Sequence, residues 1–159
     1  MAASQQFCTF FLGGHFFGTP VPQVQEVIQY QEMTRVPLAP EVVSGMINLR
    51  GQIVPAIDLR KRLGLPDRRP GEQPMNVVVR ANEGAVSLLV DEIGDVIEVA
   101  EEMLESPPET LAGFAREVIE GVYKLPGCLL LALDTERAVD GTKPGTPPPS
   151  YAPGPRENS

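Results

Sequence analysis

Gly45-Met46-Ile47-Asn48-Leu49-Arg50-Gly51-Gln52-Ile53-Val54-Pro55-Ala56-Ile57-Asp58 reads as two apolar runs around a two-residue break. Arg50-Gly51 is the break, and a glycine there permits the positive φ that a tight hairpin turn requires. Asp58 then stands as an N-cap for a short helix over Asp58–Leu63, which Gly64 ends. The same order returns in Gly121-Val122-Tyr123-Lys124-Leu125-Pro126-Gly127-Cys128-Leu129-Leu130-Leu131-Ala132-Leu133-Asp134, 76 positions on. Gly45/Gly121, Leu49/Leu125, Gly51/Gly127, Ala56/Ala132 and Asp58/Asp134 are identical pairs. Upstream, residues 21–28 lie on residues 90–97 at an offset of 69, with Glu26 meeting Asp95. The difference between offsets is a seven-residue insertion around residues 101–114. Gly45, Gly51, Gly121 and Gly127 are read as turn glycines, and Asp58 and Asp134 as caps of equivalent helical turns.

Working outward, other short apolar runs are split by turn signals. Phe7–Leu12 and Phe16–Val21 flank Gly13-Gly14; residues 75–81 and 85–90 flank Asn82-Glu83-Gly84. Val24–Ile28 and Ile93–Val99 are single strands, and a second short helix is expected near residues 110–116 with Thr110 as its cap. Prolines at 20, 22, 37, 40, 55 and 66 make a long helical domain implausible. About five short strands per half suit a sheet that curls on itself and so removes its open edges. The expectation is a mainly β protein of two five-stranded barrels packed side by side, with short helices. The first barrel is placed at residues 14–74. The second is placed at residues 75–140, with the N-terminal strand at 5–13. The groove between them is the natural binding site.

Residues 141–159 are different in kind. Six of the 19 are Pro, three are Gly, and Tyr151 is the only bulky apolar residue. Such a segment buries too little surface to offset its ordering entropy, so a disordered tail is expected.

The composition excludes several functions. The 159 residues carry a net charge of −8, which argues against nucleic acid or an anionic membrane surface as the main partner. No apolar run approaches the roughly 20 residues of a transmembrane helix, and no Lys or Arg precedes Arg35 to make a signal n-region. A soluble, cytoplasmic protein is expected. Cys8 and Cys128 sit in separate apolar runs and read as buried reduced thiols. His15, the sole histidine, stands beside a turn. There is no nucleophile elbow, P-loop or cofactor motif, and Asp91, Glu92 and Asp95 read as a solvated acidic loop rather than a metal site.

Charge is distributed unevenly. Residues 50–69 carry a balance of +4 and residues 91–120 a balance of −9. A two-sided molecule of this kind suits oriented docking to proteins or head-to-tail association with its own kind. Arg50, at a hairpin tip, is the natural anchor, and Glu26 is its expected partner.

The segment Gly45–Arg60 resembles the signature of the CheW family, the coupling proteins of bacterial chemotaxis. Val24-Gln25-Glu26-Val27, Thr34-Arg35-Val36-Pro37 and Leu89-Val90-Asp91-Glu92-Ile93-Gly94-Asp95-Val96 continue the resemblance in order over residues 7–139. The resemblance implies two SH3-like barrels and a non-catalytic adaptor without cofactor or metal. Its implied partners are the cytoplasmic tips of methyl-accepting chemoreceptors and the regulatory domain of the chemotaxis histidine kinase. It implies a location at receptor arrays through protein contacts, with self-association in rings as a further expectation. By motif position, Val24, Glu26, Asn48 and Arg50 are the implied receptor-binding residues, while kinase contacts fall on strand edges without residue assignment. The Pro-rich tail and the acidic insert at 101–109 depart from the family pattern. An adaptor of another chemosensory pathway, such as twitching motility, stays open, as does a small-ligand sensor using the inter-barrel cleft.

Overall fold

A computed structural model describes residues 3–82, 84–107 and 113–140. Among the described residues eleven strands form two sheets: β1 (Ser4–Leu12), β2 (His15–Pro20), β3 (Val24–Ile28), β4 (Val43–Leu49), β5 (Gln52–Asp58), β6 (Met75–Ala81), β7 (Gly84–Val90), β8 (Glu92–Ala100), β9 (Leu104–Glu105), β10 (Ile119–Leu125) and β11 (Cys128–Leu133). Three short α-helices among the same residues accompany them: α1 (Leu59–Leu63), α2 (Gly113–Val118) and α3 (Thr135–Val139).

One sheet has the order β3-β6-β7-β5-β4 and the other β8-β1-β2-β11-β10-β9. The internal repeat is therefore real in space: β4-β5-α1 and β10-β11-α3 occupy equivalent places, as do β3 and β8. The N-terminal strand β1 joins the sheet of the second half, where it is placed above, but the remainder of the expected partition at residue 74 is not the one adopted. The β1–β2 hairpin lies in the sheet of the second half, and the β6–β7 hairpin in that of the first. Parallel pairing of β2 with β11 and of β7 with β5 joins each exchanged hairpin to its host. Local hairpin signals look the same whichever sheet receives the hairpin, so sequence order misassigned β2 and the β6–β7 hairpin.

The cores follow this exchange. Ile47, Leu49, Val54, Ala56, Val78 and Leu89 fill the first barrel. Phe7, Val99, Tyr123, Leu130 and Ala132 fill the second. In the second barrel Gly18 stands where Ser87 stands in the first, and a Cβ there would come within 3.1 Å of Phe7 and Leu130. The large Phe7 and the missing side chain of Gly18 compensate in volume. A third and larger cluster, including Phe10, Leu12, Ile57, Leu88, Val118 and Leu133, joins the barrels to one another.

Asp58 and Asp134 cap as expected: Asp58 accepts from the Arg60 amide and Asp134 from the Arg137 amide. Gly51 and Gly127 occupy hairpin turns at φ +88° and +83°. Gly45 and Gly121 are not turn residues. Both lie inside strands, at register shifts, where another segment crosses closely. A Cβ at Gly45 would stand 2.7 Å from the Thr34 carbonyl oxygen, and one at Gly121 would stand 2.6 Å from that of Glu105. The second expected helix is found as Gly113–Val118, while Thr110 and residues 141–159 lie outside the described residues.

Candidate functional site

The β4–β5 turn has Arg50 at φ +52° followed by Gly51 at φ +88°, the two positive values of a type I′ turn. The Oδ1 of Asn48 accepts from the Gly51 amide at 2.8 Å, which closes the tip. The Arg50 guanidinium donates to the Glu26 carboxylate on β3. β3 and β4 are the two edges of this sheet, so the pair also marks where the sheet closes on itself. Arg50 keeps 70% of its side-chain surface exposed while Glu26 keeps 20%. The hydrogen bond and charge of Glu26 push the Arg50 guanidinium above its usual range. The result is a held but accessible cation.

Val24 lies on the same strand and is half-buried against the cluster between the barrels. A register shift separates Val24 from Glu26 in the β3–β6 ladder. The four residues singled out by sequence thus divide into three groups. Glu26 and Arg50 form one unit, Asn48 shapes the tip beneath them, and Val24 sits inward toward the inter-barrel core.

Sequence reasoning missed a second charged constellation. Asp91 lies between β7 and β8, where the chain passes from one sheet to the other. Its carboxylate accepts from Arg60 at 2.6 and 3.0 Å, from Arg68 at 3.1 Å and from the Gly13 amide at 2.9 Å. Burial raises the Asp91 carboxyl, but the Arg60 and Gly13 hydrogen bonds and the charges of Arg60 and Arg68 together bring it below its ordinary value. Asp91 is therefore not part of a solvated acidic loop. Its partners are 23 to 78 positions away, and no local pattern carries that information. Arg62 forms a further link, donating to the carbonyls of Ala138 and Arg137 at the end of α3.

The remaining residues are plain. Cys128 is exposed and Cys8 only half-buried, which corrects the expectation of two buried thiols. Each lies on a strand whose outer face is open, so an apolar neighbourhood in sequence did not mean burial. His15 is exposed at its turn, beside Phe17. Among the described residues no cluster of His, Cys, Asp and Glu could hold a metal ion, and no helix is long and apolar enough to cross a membrane.

Two barrels with exchanged hairpins, one of them displaying a charged turn, define a tandem β-barrel protein. The chain belongs to the family of CheW-like domains, which matches residues 6–143. It is 34% identical over 136 residues to the chemotaxis protein CheW of Bacillus subtilis, covering 86% of this chain and 87% of that one. It is 32% identical to the chemotaxis protein CheW of Treponema pallidum, covering 83% and 80%. Among solved structures it resembles the scaffolding protein TtCheW of Thermoanaerobacter tengcongensis, with a TM-score of 0.77 and 28% identity over 88% of this chain and 94% of that one.

Proposed function

We infer that this protein is a non-catalytic chemotaxis adaptor that couples the cytoplasmic tips of methyl-accepting chemoreceptors to the chemotaxis histidine kinase within signalling arrays. The observation that carries this reading is Arg50, presented on a tight turn and oriented by Glu26. An ordered arginine loses less freedom on docking than a free one, which favours it as an interface anchor. In this reading Arg50 and Glu26 set the register of the receptor helix, Val24 supplies apolar contact, and Asn48 keeps the tip in shape. The protein acts as a rigid bridge that passes on a conformational bias of the receptor.

Kinase contacts fall on the strand edges. β3 and β8 are equivalent edge strands, and each displays an exposed valine at an equivalent position, Val27 at 37% and Val96 at 57%. Two matching apolar spots on opposite barrels suit alternating barrel-to-barrel contacts with the kinase regulatory domain, or rings of the chain itself. The acidic composition and these contacts support a position beside membrane receptors held through proteins and not through lipid.

The test is co-sedimentation of the chain with a receptor cytoplasmic fragment and the kinase from the same cell, scoring kinase autophosphorylation. The reading expects the chain to join both and raise kinase activity, and expects Arg50→Asp to lose the receptor while folding normally. Binding to neither partner would overturn it.

A further inference from the structure

The exchanged hairpins each end in a turn that reaches the other half of the molecule, and both turns are held by a carboxylate. Among the described residues, the β6–β7 turn is held through the Asn82 amide, which donates to Glu136 at 2.9 Å. The β1–β2 turn is held by Asp91 through the Gly13 amide, and Asp91 is itself gripped by Arg60 and Arg68. The two contacts occupy equivalent places, because Asn82 and Gly13 stand at equivalent turns and Glu136 follows Asp134 as Arg60 follows Asp58. Among the described residues, the β1–β2 turn is thus held by a clasp of three segments and the β6–β7 turn by the Asn82–Glu136 hydrogen bond.

We propose that Asp91 is the positioning residue that fixes the angle between the barrels, and so the shape of the groove they share. The cluster between the barrels is apolar and gives attraction without direction. The Asp91 clasp is directional. Its carboxylate takes bonds along both oxygens from the α1 guanidinium, the loop after α1 and the β1–β2 turn. The Asp91 amide also donates to the Phe11 carbonyl on β1 at 3.0 Å, so main chain and side chain tie the same crossover. Arg60 and Arg68 keep only 13% and 11% of their side-chain surface, so water competes little for these bonds. Arg60 is further steadied by the Pro66 carbonyl at 2.7 Å. Releasing the carboxylate charge frees the β1–β2 turn from α1 and leaves the angle to the apolar cluster, the Arg62 link to α3 and the Asn82–Glu136 bond.

The consequence for binding rests on the adaptor reading above, but the angle itself does not. The experiment places nitroxide labels at Cys128 and at Gln52→Cys, in a Cys8→Ser background, and measures their distance distribution in the chain alone. Both positions are exposed and follow equivalent turns, one on each barrel. Asp91→Asn is expected to broaden the distribution about twofold and to weaken binding of the receptor fragment about tenfold, through lost preorganisation. Glu136→Gln, on the lightly held side, leaves the distribution unchanged. Val54→Ala, inside the first barrel, lowers the melting temperature without broadening the distribution, which separates positioning from general stability. A folded Asp91→Asn chain with the wild-type width overturns the proposal. Where Asp91→Asn does not fold, Arg68→Gln removes one arm only, and a wild-type width in that variant also overturns it. A broadened distribution in a chain whose wild-type form binds neither the receptor fragment nor the kinase overturns the adaptor reading and leaves the clasp standing.

Discussion

Arg50 adopts a backbone conformation that L-residues disfavour, and it does so on an exposed turn of the first barrel. A glycine there relieves the steric conflict of Cβ with the carbonyl oxygen, whereas the side chain of arginine adds only the bond to Glu26. Arg50→Gly is therefore expected to melt at or above the wild-type temperature while losing receptor co-sedimentation. Such a split, read by thermal unfolding beside the binding assay, would show that the residue serves docking rather than stability. Charge exchange gives the complementary result: Glu26→Arg alone weakens receptor binding, and the double variant with Arg50→Glu recovers the turn contact but not the binding. Gly51 and Gly127 are simpler cases. At φ near +85° an added Cβ costs about 1 kcal/mol, so Gly51→Ala and Gly127→Ala should each lower the urea midpoint modestly.

Among elements, α1 and α3 have only five residues each and form because their first amide groups find a carboxylate. Asp58→Ala should cost about 1 kcal/mol in urea unfolding, and Asp134→Ala a similar amount. The β4 and β10 strands depend on the opposite property, the absence of a side chain. Gly45→Ala places a methyl group against the Thr34 carbonyl and is expected to cost about 1–3 kcal/mol, more than any turn glycine. A smaller loss would mean that the crossing segment near Thr34 gives way. The edge strands β3 and β8 supply the functional counterpart. Val96→Asp puts a charge on an exposed edge and should leave the melting temperature near wild type while reducing kinase co-sedimentation.

The whole molecule is held by exchange. Residues 3–74 contain β4-β5-α1 but lack the β6–β7 hairpin that completes their barrel, and carry β1–β2 with no sheet to receive it. That half expressed alone is expected to show no cooperative unfolding, and to gain it on mixing with residues 75–159. The Asp91 clasp gives this assembly a pH signature. The folded carboxyl titrates below the ordinary 3.8, so its contribution is present above that value and is lost as the pH falls through the lower, folded one. Asp91→Asn should thus reduce the urea midpoint at neutral pH and converge with wild type in strong acid. A constant gap between the two curves down to about pH 2 would contradict the linkage.

Much of this was legible along the chain. Hairpins, turn glycines at 51 and 127, the Asp58 and Asp134 caps and the duplication are all local, set by φ requirements, side-chain caps and apolar runs that act over a few residues. The Arg50–Glu26 pair was also legible, because a tip arginine needs a carboxylate and the neighbouring strand has one. The receiving sheet for β2 and for the β6–β7 hairpin was decided only in three dimensions, since both sheets present the same kind of edge and the choice rests on packing of the shared apolar cluster. Gly45 and Gly121 could not be told from turn glycines without knowing which segment crosses them. Asp91 finds Arg60, Arg68 and Gly13 only after both barrels have closed, because the contact joins segments that no local pattern brings together.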